Sequence, residues 1–304
     1  MAYEPVTTTH RTTFQNNVEM ALGIMSNPFE PYFTLQPNLS GKQTQMIEYV
    51  SNLDPIIDGA RGGPTPSAEF MHELVWCKPR QIEQGTTIEK EDEIKRTISP
   101  QSMYVKGIAQ SIMRGRRQIM LESIFGPRLV GPDGQQVATA YSATDGVNLV
   151  LKDFVRSGAA ANSGLTFDKI IKGRTLLVGS EVDITEEKLC LALTHKQEFD
   201  LYGLVQYLSK DYREKTVVDE KNKRVLNFLD IDFIRVNQLP LAEAGVRRLP
   251  LWCQSAMHYG DFSPMETQLD RDPGQKYRLR PYGENWFGAT RSEDRKVIEI
   301  RCVE

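Results

Sequence analysis

Residues 98–127 read ISPQSMYVKGIAQSIMRGRRQIMLESIFGP, and this stretch predicts one long helix. Ser99 suits the N-cap and Pro100 suits the first helical position. Gly126 followed by Pro127 ends the helical pattern. About 26 residues lie between these signals, which corresponds to a rod of roughly 39 Å. A rod of this length needs a long surface to pack against.

The predicted helix has an apolar side and a basic cluster. Its apolar stripe consists of Val105, Ile108, Ile112, Ile119 and Phe125. The stripe predicts lengthwise packing on the subunit, although Gly107 and Gly115 lower helix propensity inside it. Arg114, Arg116 and Arg117 form the basic cluster. Such a cluster is commonly a solvated face, and the alternative is a contact with another subunit or with nucleic acid.

Upstream of the helix, residues 69–98 predict a long two-stranded hairpin whose arms join near Gln84 and Gly85. Its charged residues fall on both faces, so it cannot pack on its own core. We expect it to project into solvent or over a neighbouring subunit. The candidate residues for contacts between subunits are therefore Lys78, Arg80, Glu89, Glu91 and Glu93, together with Arg116 and Arg117 of the helix.

Residues 1–52 are rich in Thr, Asn, Gln and Pro, which predicts an extended N-terminal arm. Two amphipathic pieces, VEMALGIM (18–25) and QTQMIEYVSNL (43–53), are expected to form short helices within it. The start of the chain lacks the apolar stretch of a signal peptide, and no apolar run approaches the roughly 20 residues of a membrane helix. We therefore expect a soluble protein that is made in the cytoplasm.

Downstream of the helix, strands and short helices follow each other without a regular βαβ alternation, which predicts an α+β fold. GPDGQQVATAYS (131–142) has the turn residues of a hairpin. RVLNFLDIDFIRVNQLP (224–240) and GVRRLPLWCQSAMHYG (245–260) each predict a strand.

Two further helices have recognisable starts. Thr166 is predicted to cap the first, whose apolar side is Phe167, Ile170, Ile171, Leu177 and Val178. Thr194 and Gln197 have the spacing of a capping box at the start of the other.

The chain closes with GATRSEDRKVIEIRCVE, residues 288–304, whose last part alternates apolar and charged residues. Ile298, Ile300 and Cys302 are expected to face a core, whereas Glu299 and Arg301 are expected to face water. Such a strand needs a sheet that is built from earlier sequence, and the pattern leaves open which sheet receives it.

Composition excludes a general affinity for polyanions. There are 37 Lys and Arg residues against 40 Asp and Glu residues, and the net charge is −3. This balance gives no overall attraction to nucleic acid or to anionic membranes. Cys77, Cys190, Cys253 and Cys302 form no CxxC pair, so buried free thiols are expected rather than disulfides or a zinc site.

The best candidate for an enzymatic site is LDIDF, residues 229–233. Asp230 and Asp232 would point to the same side of a strand and could bind a divalent cation, which gives a metal-dependent enzyme as one hypothesis. Such pairs also occur on solvated strands without a ligand. The sequence contains no nucleophile elbow, Walker loop or dinucleotide-binding glycine pattern. We therefore predict a protein that is not an enzyme and has no cofactor.

The order of these parts resembles the Hong Kong 97-like major capsid protein of tailed bacteriophages. The body segments that carry the resemblance are CLALTHKQEFDLYG (190–203), VLNFLDIDFIRV (225–236) and WCQSAMHYGDFSP (252–264). The ending WFGATRSEDRKVIEIRCVE (286–304) is similar to the closing strand of podovirus-type coat proteins. By this resemblance the chain divides into an N-terminal arm (1–52), an extended loop (53–98), a P-domain with the spine helix (99–126 and 255–292), an A-domain (127–254) and a closing strand (293–304).

The resemblance implies a virion protein that assembles in the host bacterial cytoplasm. Its copies would form hexamers and pentamers of an icosahedral shell around double-stranded DNA, which is held non-specifically on the inner face. The chain lacks a long N-terminal coiled coil, so the implied partners are a separate scaffolding protein, a portal and a candidate cement protein, with no membrane. Lys90 is a candidate for a covalent cross-link, but it has no identified partner. An encapsulin-like compartment of the same fold is the alternative.

Overall fold

The computed structural model describes residues 27–37, 39–50, 70, 72–89, 101–180, 182, 186–203, 227–236, 238–275 and 277–304. In these ranges the α-helices are α1 (Gln101–Phe125), α2 (Phe167–Gly179) and α3 (His195–Tyr202). The strands are β1 (Thr34–Leu35), β2 (Thr44–Val50), β3 (His72–Cys77), β4 (Arg80–Gly85), β5 (Arg128–Val130), β6 (Val137–Thr139), β7 (Leu149–Val150), β8 (Leu189–Leu193), β9 (Asn227–Phe228), β10 (Ile231–Arg235), β11 (Leu241–Glu243), β12 (Val246–Cys253), β13 (Met257–Asp272), β14 (Arg278–Arg291) and β15 (Val297–Val303). The predicted α+β class is confirmed.

Helix α1 lies lengthwise on a four-stranded sheet whose strand order is β1-β13-β14-β4. The predicted long helix is confirmed, and Ile108, Ile112 and Ile119 of its apolar stripe are buried. The amide of Gly126 donates to the carbonyl of Glu122, where the predicted stop lies. Ser99 and Pro100 lie outside the described residues.

Two glycines allow α1 to approach this sheet closely. A Cβ at Gly283 of β14 would lie 2.7 Å from Ile108 Cγ2 and 2.9 Å from Ile112 Cδ1. A Cβ at Gly115 of α1 would lie 2.7 Å from Ile82 Cγ2 of β4. All three distances are shorter than carbon atoms tolerate, so any larger residue would push the helix off the sheet. Gly115 therefore lowers helix propensity but permits the packing that α1 requires.

The C-terminus of α1 is bound by the buried side chain of Arg291, at the end of β14. Its Nη1 donates to the carbonyl oxygens of Ile124 at 2.7 Å and Gly126 at 2.9 Å, and its Nε donates to Asp294 at 2.8 Å. A cation is favourable here because the last carbonyls of a helix carry partial negative charge. Burial lowers the pKa of Arg291, and Asp294 opposes that shift.

Strands β13 and β14 form a hairpin whose outer part extends beyond the body. Two register shifts interrupt the pairing, between Asp261 and Ser263 and between Ser263 and Glu266. Residues 264–271 are exposed beyond these bulges. The sequence pattern did not predict this pairing.

A second sheet, of order β7-β15-β12-β8-β10-β9 with β11 added to β12, receives the closing strand. Strand β15 pairs antiparallel with β12 and parallel with β7. Ile298, Ile300 and Cys302 are buried as predicted. Helix α2 packs on this face, where a Cβ at Gly173 would lie 3.1 Å from Ile300.

The prediction that Glu299 faces water is wrong. Its side chain is fully buried and forms ion pairs with Arg248 at 2.5 Å and Arg301 at 2.7 Å. The guanidinium of Arg248 in turn lies 4.1 Å from the ring centroid of Phe125, at the end of α1. The second face of the strand is thus covered at Glu299 by Arg248, which stacks on the end of α1, and period-two alternation could not reveal this.

Residues 27–50, which the sequence analysis assigned to the N-terminal arm, belong to the body. Phe29 and Phe33 are buried, with ring centroids 6.1 and 6.0 Å from that of Trp252. The helix expected at 43–53 is instead β2, which pairs with β3. Met46 is the only buried residue of β2. The hydrogen-bonded pairing with β3 therefore overrides the helical sequence pattern. VEMALGIM lies outside the described residues.

The hairpin predicted for 69–98 is also wrong in its pairing. Strand β3 pairs with β2 and β5, whereas β4 pairs with β14, so the predicted first arm is divided between two sheets. Thr86 and Ile88, just past the predicted turn, donate to carbonyls of β14 rather than pairing with the first arm, and residues 90–98 lie outside the described ranges. The chain changes sheet at Lys78 and Pro79 rather than turning at Gln84 and Gly85. The physical reason is that β3 buries Val75 and Cys77 in a sheet of its own.

The remaining local predictions are largely confirmed. Residues 128–139 form the β5–β6 hairpin, Thr166 accepts a hydrogen bond from the Lys169 amide, and Thr194 with Gln197 forms the capping box. Val178 is 52% exposed, because Leu176 occupies the buried position instead. All four cysteines are buried free thiols, as predicted.

We expect Gly283→Ala to lower the free energy of unfolding by about 1–3 kcal/mol, because the added methyl group collides with Ile108 and Ile112. The measurement is denaturant unfolding of the purified subunit. Gly179→Ala is the matched control, since nothing lies within 4 Å of a Cβ there. Equal stability of the two variants would contradict the role given to Gly283.

Glu304 makes a pH-dependent contribution to the free energy of unfolding. Arg247 binds both of its carboxylate oxygens, at 2.7 and 2.8 Å, and hydrogen bonds from Arg247, Gln197 and Lys196 lower its pKa from 4.5 to about 2. A depressed pKa stabilises the fold above pH 4.5, and this stabilisation is lost as the pH falls toward 2. Glu304→Gln should therefore be less stable than the parent by about 1–2 kcal/mol at pH 7. The difference should shrink between pH 4.5 and 2 in denaturant titrations, and a constant difference would contradict this assignment.

Candidate subunit interface

The predicted contact residues Lys78 and Arg80 lie at the corner between β3 and β4. The side chain of Lys78 is exposed. Arg80 donates to Glu122 of α1 at 2.6 Å, which lowers the pKa of Glu122. About half of each of these two side chains is exposed, so their ion pair contributes only about 0–1 kcal/mol. Arg80 thus has a partner in its own chain, whereas Lys78 points outward.

Glu89 also has a partner within the subunit, since Arg278 lies 3.2 Å from its carboxylate. Both side chains are partly exposed, so this ion pair is also weak. Glu91 and Glu93 lie outside the described residues. Of the three loop charges that the structure describes, Arg80 and Glu89 thus pair with different elements of their own subunit.

Arg116 is largely enclosed by its own subunit. Its guanidinium forms ion pairs with Asp261 at 3.1 Å and Glu30 at 3.6 Å, and it lies 4.6 Å from the ring centroid of Phe287. Only 12% of the side chain is exposed. Arg116 thus joins α1 to β13, β14 and the segment before β1. The sequence analysis offered a solvated face or a contact with another subunit or nucleic acid for the arginine cluster, and neither interpretation predicted these contacts within the subunit.

The face of the four-stranded sheet that points away from α1 is covered at one end and open at the other. At the covered end, a Cβ at Gly260 would lie 2.6 Å from the carbonyl oxygen of Gln36, and one at Gly288 would lie 2.6 Å from Cys77 Sγ. Only glycine lets these segments cross the sheet so closely. Beyond Gly288, every second side chain of β14 points to this open face, and these side chains are Trp286, Glu284, Tyr282 and Arg280. The side chains between them face α1.

A row of three glutamates crosses the open face. Glu284 is paired in register with Glu83 of β4 on one side and with Glu266 of β13 on the other. The hydroxyl group of Tyr282 lies 3.0 Å from the carboxylates of both Glu83 and Glu284. Burial, followed by these two hydrogen bonds, raises the pKa of Tyr282 to about 12. Like charges placed directly opposite each other destabilise a sheet.

Next to the acidic row lies a groove of about 520 Å³. Its walls include two lysines and two aromatic rings: Lys42, Lys78, Phe262 and Trp286. Both lysine side chains are exposed. The open face therefore carries basic groups at one end and acidic groups farther along.

The predicted metal pair is not formed. Residues 224–240 are not one strand, because Leu229 and Asp230 have φ angles of 54° and 60° and turn the chain between β9 and β10. Asp230 lies in this turn, 3.5 Å from Arg174, whereas Asp232 lies on β10. Among the residues that the structure describes, no group of three or more His, Cys, Asp or Glu could hold a metal ion. No helix within the described ranges is long and apolar enough to cross a membrane.

Comparisons with known proteins agree with this architecture. The family described as phage capsid protein matches residues 6–304. Among solved structures, the capsid of Cyanophage P-SCSP1u has a TM-score of 0.72 at 14% identity and covers 100% of this chain and 96% of its own. The Cyanophage Pam1 capsid has a TM-score of 0.71 at 13% identity and covers 99% of this chain and 98% of its own. A solved structure of Mycobacterium phage Che8 has a TM-score of 0.67 at 12% identity, with 98% of each chain covered. No curated protein matches the sequence.

Arg116 and Arg117 should differ in their effect on subunit stability. We expect Arg116→Met to lower the free energy of unfolding by about 2–4 kcal/mol, because it leaves Asp261 and Glu30 without their buried cation. Arg117→Met, one position along the same helix, should change it by less than about 0.5 kcal/mol. Chemical denaturation of the two purified variants tests this, and equal effects would contradict the intrachain role of Arg116.

Proposed function

The chain belongs to the phage capsid protein family and is a major capsid protein of an icosahedral phage shell, and we propose that its copies form hexamers and pentamers around double-stranded DNA. The observation that carries the proposal is the family match over residues 6–304. The protein is thus a structural component of a virion.

Exposed apolar groups on the β13–β14 hairpin support assembly through this part of the subunit. Met265, Leu269 and Tyr277 are 40%, 39% and 66% exposed on a thin hairpin that offers them no further cover within the described residues. Apolar groups that project in this way commonly become buried against a partner. In a shell of many copies, the partner is an adjacent subunit.

We retain the proposed division into a P-domain (99–126 and 255–292) and an A-domain (127–254), closed by residues 293–304. Strand β15 lies in the same sheet as β8, β10 and β12, which supports counting the closing strand with the A-domain. Phe29 and Phe33, which fall within the proposed N-terminal arm (1–52), are part of the core.

The proposed partners are a separate scaffolding protein, a portal and a cement protein. The near-neutral charge of the chain supports non-specific retention of DNA inside the shell rather than tight binding by each subunit. Four free thiols support assembly in the reducing host cytoplasm. A catalytic role is not proposed, since Asp230 and Asp232 lie on a turn and a strand and do not form the pair that suggested one.

Electron microscopy of the expressed chain, alone and with the scaffolding protein encoded beside it, tests this function. We expect closed shells on the order of tens of nanometres across with fivefold and sixfold capsomers. A chain that stays monomeric under all of these conditions would refute the proposal. Shells that enclose a cargo enzyme in their native host instead of DNA would favour the encapsulin-like alternative.

The extended-loop charges are proposed to contact a neighbouring subunit. Reversing Glu91 and Glu93 to Lys should leave the unfolding transition of the subunit unchanged and reduce the yield of shells by about tenfold, because like charges would meet across the contact. Sedimentation measures the yield. The matched control is reversal of Glu48, an exposed glutamate on β2 that pairs with His72 of its own chain. Normal shells from the Glu91 and Glu93 variant would contradict this role.

A further inference from the structure

The open face of the four-stranded sheet separates its charges along one direction. Lys42 and Lys78 lie at the groove near Gly288, where the carbonyl oxygen of Lys78 would be 3.4 Å from an added Cβ. Glu284 lies four positions farther along β14, which corresponds to about 13 Å of strand. Glu83 and Glu266 flank it on both sides. The face therefore carries the two lysines at one end and the three glutamates farther along, with Arg280 beyond them.

The charged groups of this face form no ion pairs with other described residues. In the ranges that the structure describes, no ion pair involves Glu83, Glu266 or Glu284, and none involves Lys42 or Lys78. Tyr282 supplies one hydroxyl proton to two carboxylates, so it can satisfy only one of them at a time. Arg280 lies farther along the same face but forms no ion pair with these glutamates. The three aligned carboxylates therefore repel each other, and a positive group placed over them would relieve this repulsion.

We infer that a second copy of this chain covers the open face and that its Lys42 and Lys78 lie over the row Glu83, Glu284 and Glu266. The inference rests on the proposed function, which supplies many copies at close range. A copy turned by about 180° would place its own acidic row over the lysines of the first, so one symmetric contact satisfies both ends. Nucleic acid would meet the glutamates as like charges, and a lone cation would leave the lysine groove unpaired.

Charge exchange tests the contact. Glu284→Lys and Lys78→Glu should each reduce the yield of shells by about tenfold, because each places like charges in the contact. The double variant should assemble better than either single variant, because the exchanged charges again face opposite ones. The control pair combines Glu284→Lys with Lys106→Glu. Lys106 is exposed on α1, which lies at the other face of the sheet. That pair should show no recovery.

Isotope-mixed cross-linking tests the contact without any mutation. Shells assembled from equal amounts of ¹⁴N- and ¹⁵N-labelled chains are treated with a zero-length carbodiimide reagent, which joins amines to carboxylates in direct contact. We expect mixed-isotope peptides that join Lys42 or Lys78 to Glu83, Glu266 or Glu284. If other lysine–carboxylate links appear but none of these does, the inference is overturned.

The two sets of results separate this inference from the proposed function. If the parent chain forms no shells under any condition, the proposed function fails. If the parent forms shells but Glu284→Lys and Lys78→Glu assemble normally, the contact fails and the function stands. The contact is also overturned if the double variant gives no more shells than the single variant with the lower yield, provided that unfolding measurements show intact subunits.

Discussion

The buried guanidinium of Arg291 is the interaction on which the arrangement of α1, β14 and the closing strand depends. It binds the free carbonyls at the C-terminus of α1 from the end of β14 and is held by Asp294, just before β15. One side chain thus fixes the end of the long helix, the end of the hairpin and the entry to the last strand. The helix cannot slide along its sheet without breaking these bonds, and the carbonyls would then be buried without donors.

Lys169 acts in the same way in the second sheet. Its ammonium group is fully buried, and its three N–H groups are shared among four carbonyl oxygens, those of Lys152, Ser163, Gly164 and Arg301, at 2.7–3.1 Å. Burial lowers its pKa, which nearby acidic groups oppose. Since Arg301 belongs to β15, this cation ties an irregular segment to the closing strand. In both regions a cation satisfies backbone groups that regular structure leaves unpaired.

Features encoded by neighbouring residues could be predicted from the sequence. Helix α1, the caps at Thr166 and Thr194 and the buried face of β15 follow from periodicity and local hydrogen bonding. The partners of β3 and β4 could not be predicted, because they depend on contacts between distant segments. The turn at Leu229 and Asp230 lacks the glycine or asparagine that usually marks such a turn. The acidic row was missed for a related reason, since Glu266 and Glu284 meet only through the register of a bulged hairpin.

The bulges between Asp261 and Glu266 allow the outer hairpin to rotate as one unit relative to the body. Bulges concentrate twist and bending at one place in a strand pair, whereas the paired residues beyond them move together. The outer part of β13 extends about 20 Å past the last bulge, so a rotation of about 5° there would displace the tip by roughly 2 Å. Identical chains could thus meet slightly different neighbours while their cores stay the same. A closed surface with both fivefold and sixfold positions requires this kind of tolerance from every subunit.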